Sequence, residues 1–193
     1  MAGHARFTAV LDACVLYPVG VADALISLAV AGLYAAKWTV AIEDEWVRNL
    51  ERNRPELQGR LGPRRDDMRA AVPDWEVPAE AWQAIAPYLH LPDPADAHVL
   101  AAALAGHADC IVTANLKHFP AAILTPYGLE AIHPDDFLVA QLDLDEFTAL
   151  AAFRDMRARK KNPPLDPEGF AQALERNGLV ATANRLRLAA ALI

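Results

Sequence analysis

An α/β domain on a parallel sheet, followed by an all-helical tail, is the fold class the sequence predicts. Short apolar runs at residues 7–11 and 108–113 each stop at a polar position, as buried strands do. The stretches between them show helical spacing, and strands alternating with helices build a parallel sheet. From Leu142 onward only helical patterns occur, so a boundary falls near residue 140, between a domain at 1–140 and an extension at 141–193.

The first strand, 7–11, ends at Asp12, and residues 22–33 follow as a helix. Residues 38–42 suit a short strand, but Glu43, Asp44 and Glu45 then open a helix, where acids favour the positive end of the dipole. Residues 55–65 are polar and rich in breakers, 66–72 helical, 73–78 extended, 79–88 weakly helical and 91–95 a loop. Asp96 begins the most regular helix, with Val99, Leu100, Ala103 and Leu104 on one face and Gly106 closing it. The strand at 108–113 leads to Asn115, and residues 129–132 read as an edge strand. Another helix follows Pro134, with Asp135 and Asp136 as its caps. The tail holds helices over 145–161, 166–177 and 180–192, the second opened by Asp166-Pro167.

The 193 residues are 54% hydrophobic and 22% charged, enough to bury a core, which excludes global disorder. No apolar run reaches the ~18 residues of a membrane span; the longest, at 19–30, is interrupted by Asp23. Residues 1–6 show no apolar stretch or cleavage site, so no secretory leader is read there. Cys14 and Cys110 both sit in apolar runs, against a disulfide framework and for a reducing, cytoplasmic setting.

The formal charge is −7, yet twelve of the 18 basic residues fall in two stretches, 48–69 and 154–161. The first either holds a nucleic-acid phosphate backbone or forms a solvated helical hairpin balanced by Glu51, Glu56, Asp66 and Asp67. The second closes a helix that begins with Asp143, Asp145 and Glu146, the order a helix dipole prefers.

The acids carry the chemistry. In an open parallel sheet, ligands bind beyond the carboxyl ends of the strands. Asp12 and Asn115 lie at strand ends, and Asp96 and Glu45 at helix starts, so all four converge on one edge, with Asp93 beside Asp96. Gathered carboxylates need a cation. Oxygen ligands favour Mg²⁺ or Mn²⁺, and such ions support hydrolysis of phosphate esters. Each residue has a plainer role open to it: a turn at Asp12, an N-cap at Asp96, a loop cap at Asp93. Glu43 competes with Glu45, Thr113 is a candidate support for an acid, and His118 and His98 read as surface residues. A phosphatase with a nucleophilic Asp12 would want an acid at Cys14, and no G-x-G-x-x-G follows the first strand.

These residues also carry a resemblance. Val10-Leu11-Asp12-Ala13-Cys14-Val15-Leu16 resembles the D-x-N-V-L opening of the PIN-domain nucleases, and Glu43-Asp44-Glu45-Trp46-Val47-Arg48-Asn49-Leu50 their second motif. The run from Asp93 to Ala103 resembles the third. Thr113-Ala114-Asn115-Leu116-Lys117-His118-Phe119-Pro120 resembles the T-x-N-L-K-D-F-P of a VapC-like toxin subfamily, as does His133-Pro134-Asp135-Asp136-Phe137-Leu138. The resemblance covers roughly residues 7–140. It implies a PIN-like sheet sandwiched by helices and a Mg²⁺- or Mn²⁺-dependent endoribonuclease. It implies also the toxin of a type II toxin–antitoxin pair, a homodimer neutralised by a cognate antitoxin. Its site residues map to Asp12, Glu45, Asp96 and Asn115, with Asp12, Glu45, Asp93 and Asp96 as metal ligands. Three departures stand out. Ala13-Cys14 replaces a small polar pair, so a hydrogen bond supporting Asp12 is expected to be missing. Asn115 and His118 each stand where an Asp is usual. A PIN fold that binds RNA or protein with little catalysis is therefore the alternative reading.

Overall fold

Thr8–Leu11 forms β1, and Ala9, Val10 and Leu11 are fully enclosed, as in a strand covered on both faces. The chain continues through a single turn, α1 (Ala13–Leu16), then α2 (Val19–Val30), β2 (Ala35–Lys37) and α3 (Val40–Asn53). Next come α4 (Gly62–Ala71), the short α5 (Ala79–Trp82), α6 (Ala97–Ala105) and β3 (Cys110–Val112). A further turn, α7 (Ala121–Leu124), precedes β4 (Glu130–Ile132), and α8 (Pro134–Leu144), α9 (Glu146–Ala158), α10 (Pro167–Arg176) and α11 (Val180–Leu188) follow. This computed structural model describes residues 7–193; the hexapeptide read for a leader lies outside them. Among the described residues no helix is long and apolar enough to cross a membrane.

The four strands are all parallel, in the order β2-β1-β3-β4. The α/β fold class with its parallel sheet and helical C-terminal region is therefore the one the sequence predicts. Some bounds move for local reasons. Residues 38–42 are not a strand: β2 ends at Lys37, and the Thr39 hydroxyl accepts the Ile42 N–H at 3.1 Å, starting α3 at Val40. Trp38 instead bridges to Glu76. The helix expected at 66–72 begins four residues earlier, where Pro63 sits in its first turn.

The chain divides into two compact units. One holds the described residues up to Tyr17 together with Tyr34–His133; the other joins Pro18–Leu33 to Pro134–Ile193. In the first, the sheet carries the core, with Trp38, Trp46, Ile42 and Leu100 at 0% exposure. Enclosing side chains of this size stabilises by about 1.5–3 kcal/mol each.

In the second unit α2 packs on α8, α9 and α10. Asp23 of α2 accepts from Arg159 at 2.8 Å and Lys160 at 2.6 Å. Arg157 donates to the carbonyls of Leu165 at 2.7 Å and Ile193 at 3.1 Å. Three of the five cations at 154–161 thus bind groups across this unit, beyond the dipole role read for the cluster. Asp135, read as a cap of its own helix, serves another one. Its carboxylate accepts the N–H groups of Ala181 and Thr182 at 2.7 and 2.8 Å and the Thr182 hydroxyl at 2.7 Å, closing the N-terminus of α11. Asp135→Ala is expected to lower unfolding free energy by about 1–3 kcal/mol. A urea midpoint equal to wild type would show that water replaces the carboxylate without loss.

Candidate active site

Register brings the first acid to its partner. Leu11 pairs with Val112, and Asp12 donates its N–H to the Val112 carbonyl at 3.1 Å, so Asp12 leaves β1 alongside Thr113 leaving β3. The Thr113 hydroxyl donates to Asp12 Oδ2 at 2.7 Å, and the Cys14 thiol donates to the same oxygen at 3.0 Å. Asp12 is only 2% exposed, and these two donors fix its carboxylate. The expectation that Ala13-Cys14 leaves Asp12 unsupported is therefore corrected: sulfur takes the place of the polar side chain. Backbone N–H groups close the network, Ala114 onto Cys14 Sγ at 3.2 Å and Asn115 onto Thr113 Oγ1 at 3.0 Å.

Burial, with the Asp12 charge and hydrogen bond next, pushes the Cys14 thiol up to about 12, so it remains a donor at neutral pH. Burial, followed by the charges of Glu130 and Asp109, pushes the Cys110 thiol up to about 12 as well. A raised thiol pKa leaves less thiolate at any given pH. At pH 8 about one thiol in 10⁴ is ionised in the native protein, against roughly one in four or five for an unfolded chain. Iodoacetamide at pH 8 is expected to label neither cysteine natively and both in guanidinium, read by intact mass.

The second group gathers at the start of α6. A 3₁₀ turn, Pro94–Asp96, precedes this helix, and Asp93 Oδ1 accepts the Ala95 N–H at 3.0 Å. Asp93 is thus the capping side chain, and Asp96, read as a possible N-cap, makes no capping bond. Its carboxylate meets His118 instead: Nδ1 lies 2.7 Å from Asp96 Oδ2 and 3.9 Å from Asp93 Oδ2. One atom from each of Asp93, Asp96 and His118 lies within 4.8 Å of the others. Burial raises the Asp96 carboxyl above its usual range; the hydrogen bond from His118 opposes this, and the charges of Asp12 and then Asp93 add to it. His118 was read as a surface residue. It belongs to this cluster, and the clue was its place where the resembling motif has an acid.

Two candidate glutamates on α3 have separate roles. Glu43 is 0% exposed and accepts from the Trp38 indole at 2.9 Å, from Arg65 Nη2 at 3.1 Å and from Arg69 Nε at 3.1 Å. It fastens α3 to α4. Arg64 lies over the Trp46 ring at 4.5 Å and donates to the carbonyls of Leu16 and Tyr17, so several of the clustered arginines serve local structure. Glu45 is left 32% exposed, with Oε2 at 3.2 Å from His98 Nε2. His98 sits on α6 two residues beyond Asp96 and near the Trp82 ring, which links Glu45 to the helix that Asp96 precedes. Asn115 is half-buried in the turn after β3, where its carbonyl accepts the His118 N–H at 2.8 Å.

The donor set fits a divalent cation. The His118 Nδ1 lies 2.7 Å from an Asp96 oxygen and 3.9 Å from an Asp93 oxygen, near the spacing of one ion's ligands, about 3 Å when adjacent and about 4.2 Å when opposite. Asp96 also carries the repulsion that such an ion would relieve.

Comparison with known proteins places these residues in context. A family model described as PIN domain matches residues 8–117, and one described as VapC50 C-terminal domain matches residues 134–188. A protein of Mycobacterium tuberculosis (strain ATCC 25618 / H37Rv) named "Putative ribonuclease VapC50" is 49% identical over 79 residues, which is 41% of this chain and 47% of that protein. The chain therefore aligns with less than half the length of that relative. No solved structure matches.

Proposed function

Because the chain belongs to the PIN-domain family, we propose that it is a metal-dependent endoribonuclease, the toxin of a type II toxin–antitoxin pair. It hydrolyses RNA phosphodiester bonds in the cytoplasm and is held in check by a cognate antitoxin, acting as a homodimer. The observation that carries this reading is the gathering of Asp93, Asp96 and His118, with the charge of Asp12 felt at Asp96, on elements that end or begin at the carboxyl edge of a parallel sheet.

In this reading Asp12, Glu45, Asp93 and Asp96 hold the ion, Mg²⁺ or Mn²⁺, and Asp12, Glu45, Asp96 and Asn115 form the catalytic set. When bound, the ion supplies Lewis acidity and offsets charge developing on the phosphate. Thr113 and Cys14 lock Asp12 in one orientation, and His98 orients Glu45. Asn115 contributes an amide oxygen without charge. All of these residues lie within 1–140, to which the chemistry is assigned; the extension, 141–193, supplies none of them.

Purified protein incubated with structured RNA is expected to give discrete cuts with Mn²⁺ or Mg²⁺, none with EDTA, and none from Asp96→Ala. Folded protein that binds RNA without cutting it under any of these conditions would replace the nuclease with the RNA-binding alternative.

A further inference from the structure

The cluster differs from an all-oxygen site in one atom, the Nδ1 of His118. This nitrogen is no accident of a swinging surface chain. The ring is only 24% exposed, its backbone N–H is tied to the Asn115 carbonyl at 2.8 Å, and Nδ1 sits 2.7 Å from Asp96 Oδ2. The turn that holds it, Leu116–His118, begins four residues after the last residue of β3, and the connection is pinned by the Asn115 N–H donating to Thr113 Oγ1 at 3.0 Å. Asp93 is equally placed: one oxygen is spent on the Ala95 N–H, and the other lies 3.9 Å from the imidazole nitrogen. An ion taken up by Asp93 and Asp96 would meet that nitrogen and displace the proton it shares with Asp96, which leaves to solvent while Nε2 keeps the ring's remaining proton.

We propose that His118 supplies a nitrogen ligand to the divalent ion and thereby makes this site select Mn²⁺ over Mg²⁺. The proposal rests on the metal-dependent reading above and names the selectivity of that same centre. Mg²⁺ is small, hard and demanding of oxygen in near-ideal octahedral geometry. Imidazole is a softer donor, better matched to first-row transition ions, among which Mn²⁺ also retains a taste for carboxylate. Two aspartates and a histidine therefore give Mn²⁺ a ligand set that Mg²⁺ uses poorly. An aspartate at position 118 would remove that distinction.

The test uses the intact protein and Mn²⁺ itself. Electron paramagnetic resonance of free Mn²⁺ measures binding, and electron spin-echo modulation reports a directly bonded ¹⁴N. Wild type is expected to bind Mn²⁺ with ¹⁴N modulation and to need at least ~10-fold more Mg²⁺ to displace it. His118→Ala should lose the modulation and weaken Mn²⁺ about 10- to 100-fold. His118→Asp should lose the modulation and narrow the Mn²⁺/Mg²⁺ preference. Mn²⁺ bound by wild type without ¹⁴N modulation, or released by equimolar Mg²⁺, overturns the proposal while leaving the metal site standing. Failure of wild type to bind Mn²⁺ at all, with RNA cleavage insensitive to EDTA, overturns the metal-dependent reading as well. The wild-type spectra decide the matter even if a variant fails to fold.

Discussion

Asp12→Asn is expected to lower kcat/KM for RNA cleavage by about 10³-fold, roughly 4 kcal/mol of transition-state stabilisation, with little change in thermal midpoint. The substitution keeps the shape of a side chain that is 2% exposed and keeps an oxygen for the Thr113 and Cys14 donors. It removes the negative charge, and with it one holder of the proposed ion. Thr113→Val offers the graded companion: the charge stays, but one of the two bonds that orient it is lost, and a fall of about 10- to 100-fold is expected. Cleavage rates alongside circular dichroism separate the two effects. An Asp12→Asn variant that cuts RNA at near wild-type rate would remove Asp12 from the site.

The largest effect on stability is expected at Glu43, which does no chemistry. Glu43→Ala leaves the Trp38 indole N–H without its acceptor and parts Arg65 and Arg69 from their shared carboxylate. Breaking a buried charged cluster costs about 3–5 kcal/mol. In a chain of this length that corresponds to a melting point lower by about 10 °C. The arginine side chains are 25% and 33% exposed, so water recovers part of their hydration, and the lower end of the range is expected. Glu43→Gln keeps an acceptor for the indole and should cost less. A loss under ~1 kcal/mol for the alanine variant would mean that desolvation cancels the attraction.

The sequence spoke most clearly where one physical cause acted alone. An uninterrupted apolar run marked β1, and the face of Val99, Leu100, Ala103 and Leu104 marked α6. Asp12 and Asp96 stood out as candidates because each adjoins such an element. Where two causes competed, local pattern misled. The residues at 38–42 look like a strand by composition, yet a hydroxyl cap at Thr39 makes helix the outcome. Cys14 reads as an apolar replacement, but beside a buried carboxylate its S–H acts as a donor. His118 and His98 gave no periodic signal, because each takes its role from a partner 22 and 53 positions away. The pairing of Asp135 with α11 and of Asp23 with Arg159 is likewise invisible to any short window.

The partnership of α2 with the C-terminal helices has a consequence for synthesis. Residues 18–33 leave the ribosome more than 100 positions ahead of α8, α9 and α10, the helices on which α2 packs. At about 5–20 residues per second, that apolar helix waits roughly 5–20 s for its partners. During this interval the nascent chain offers an uncovered apolar stretch, a natural point of capture for chaperones. A message truncated after residue 133 would leave it uncovered permanently. Gene fragments that stop there are expected to yield aggregates, whatever the integrity of the sheet.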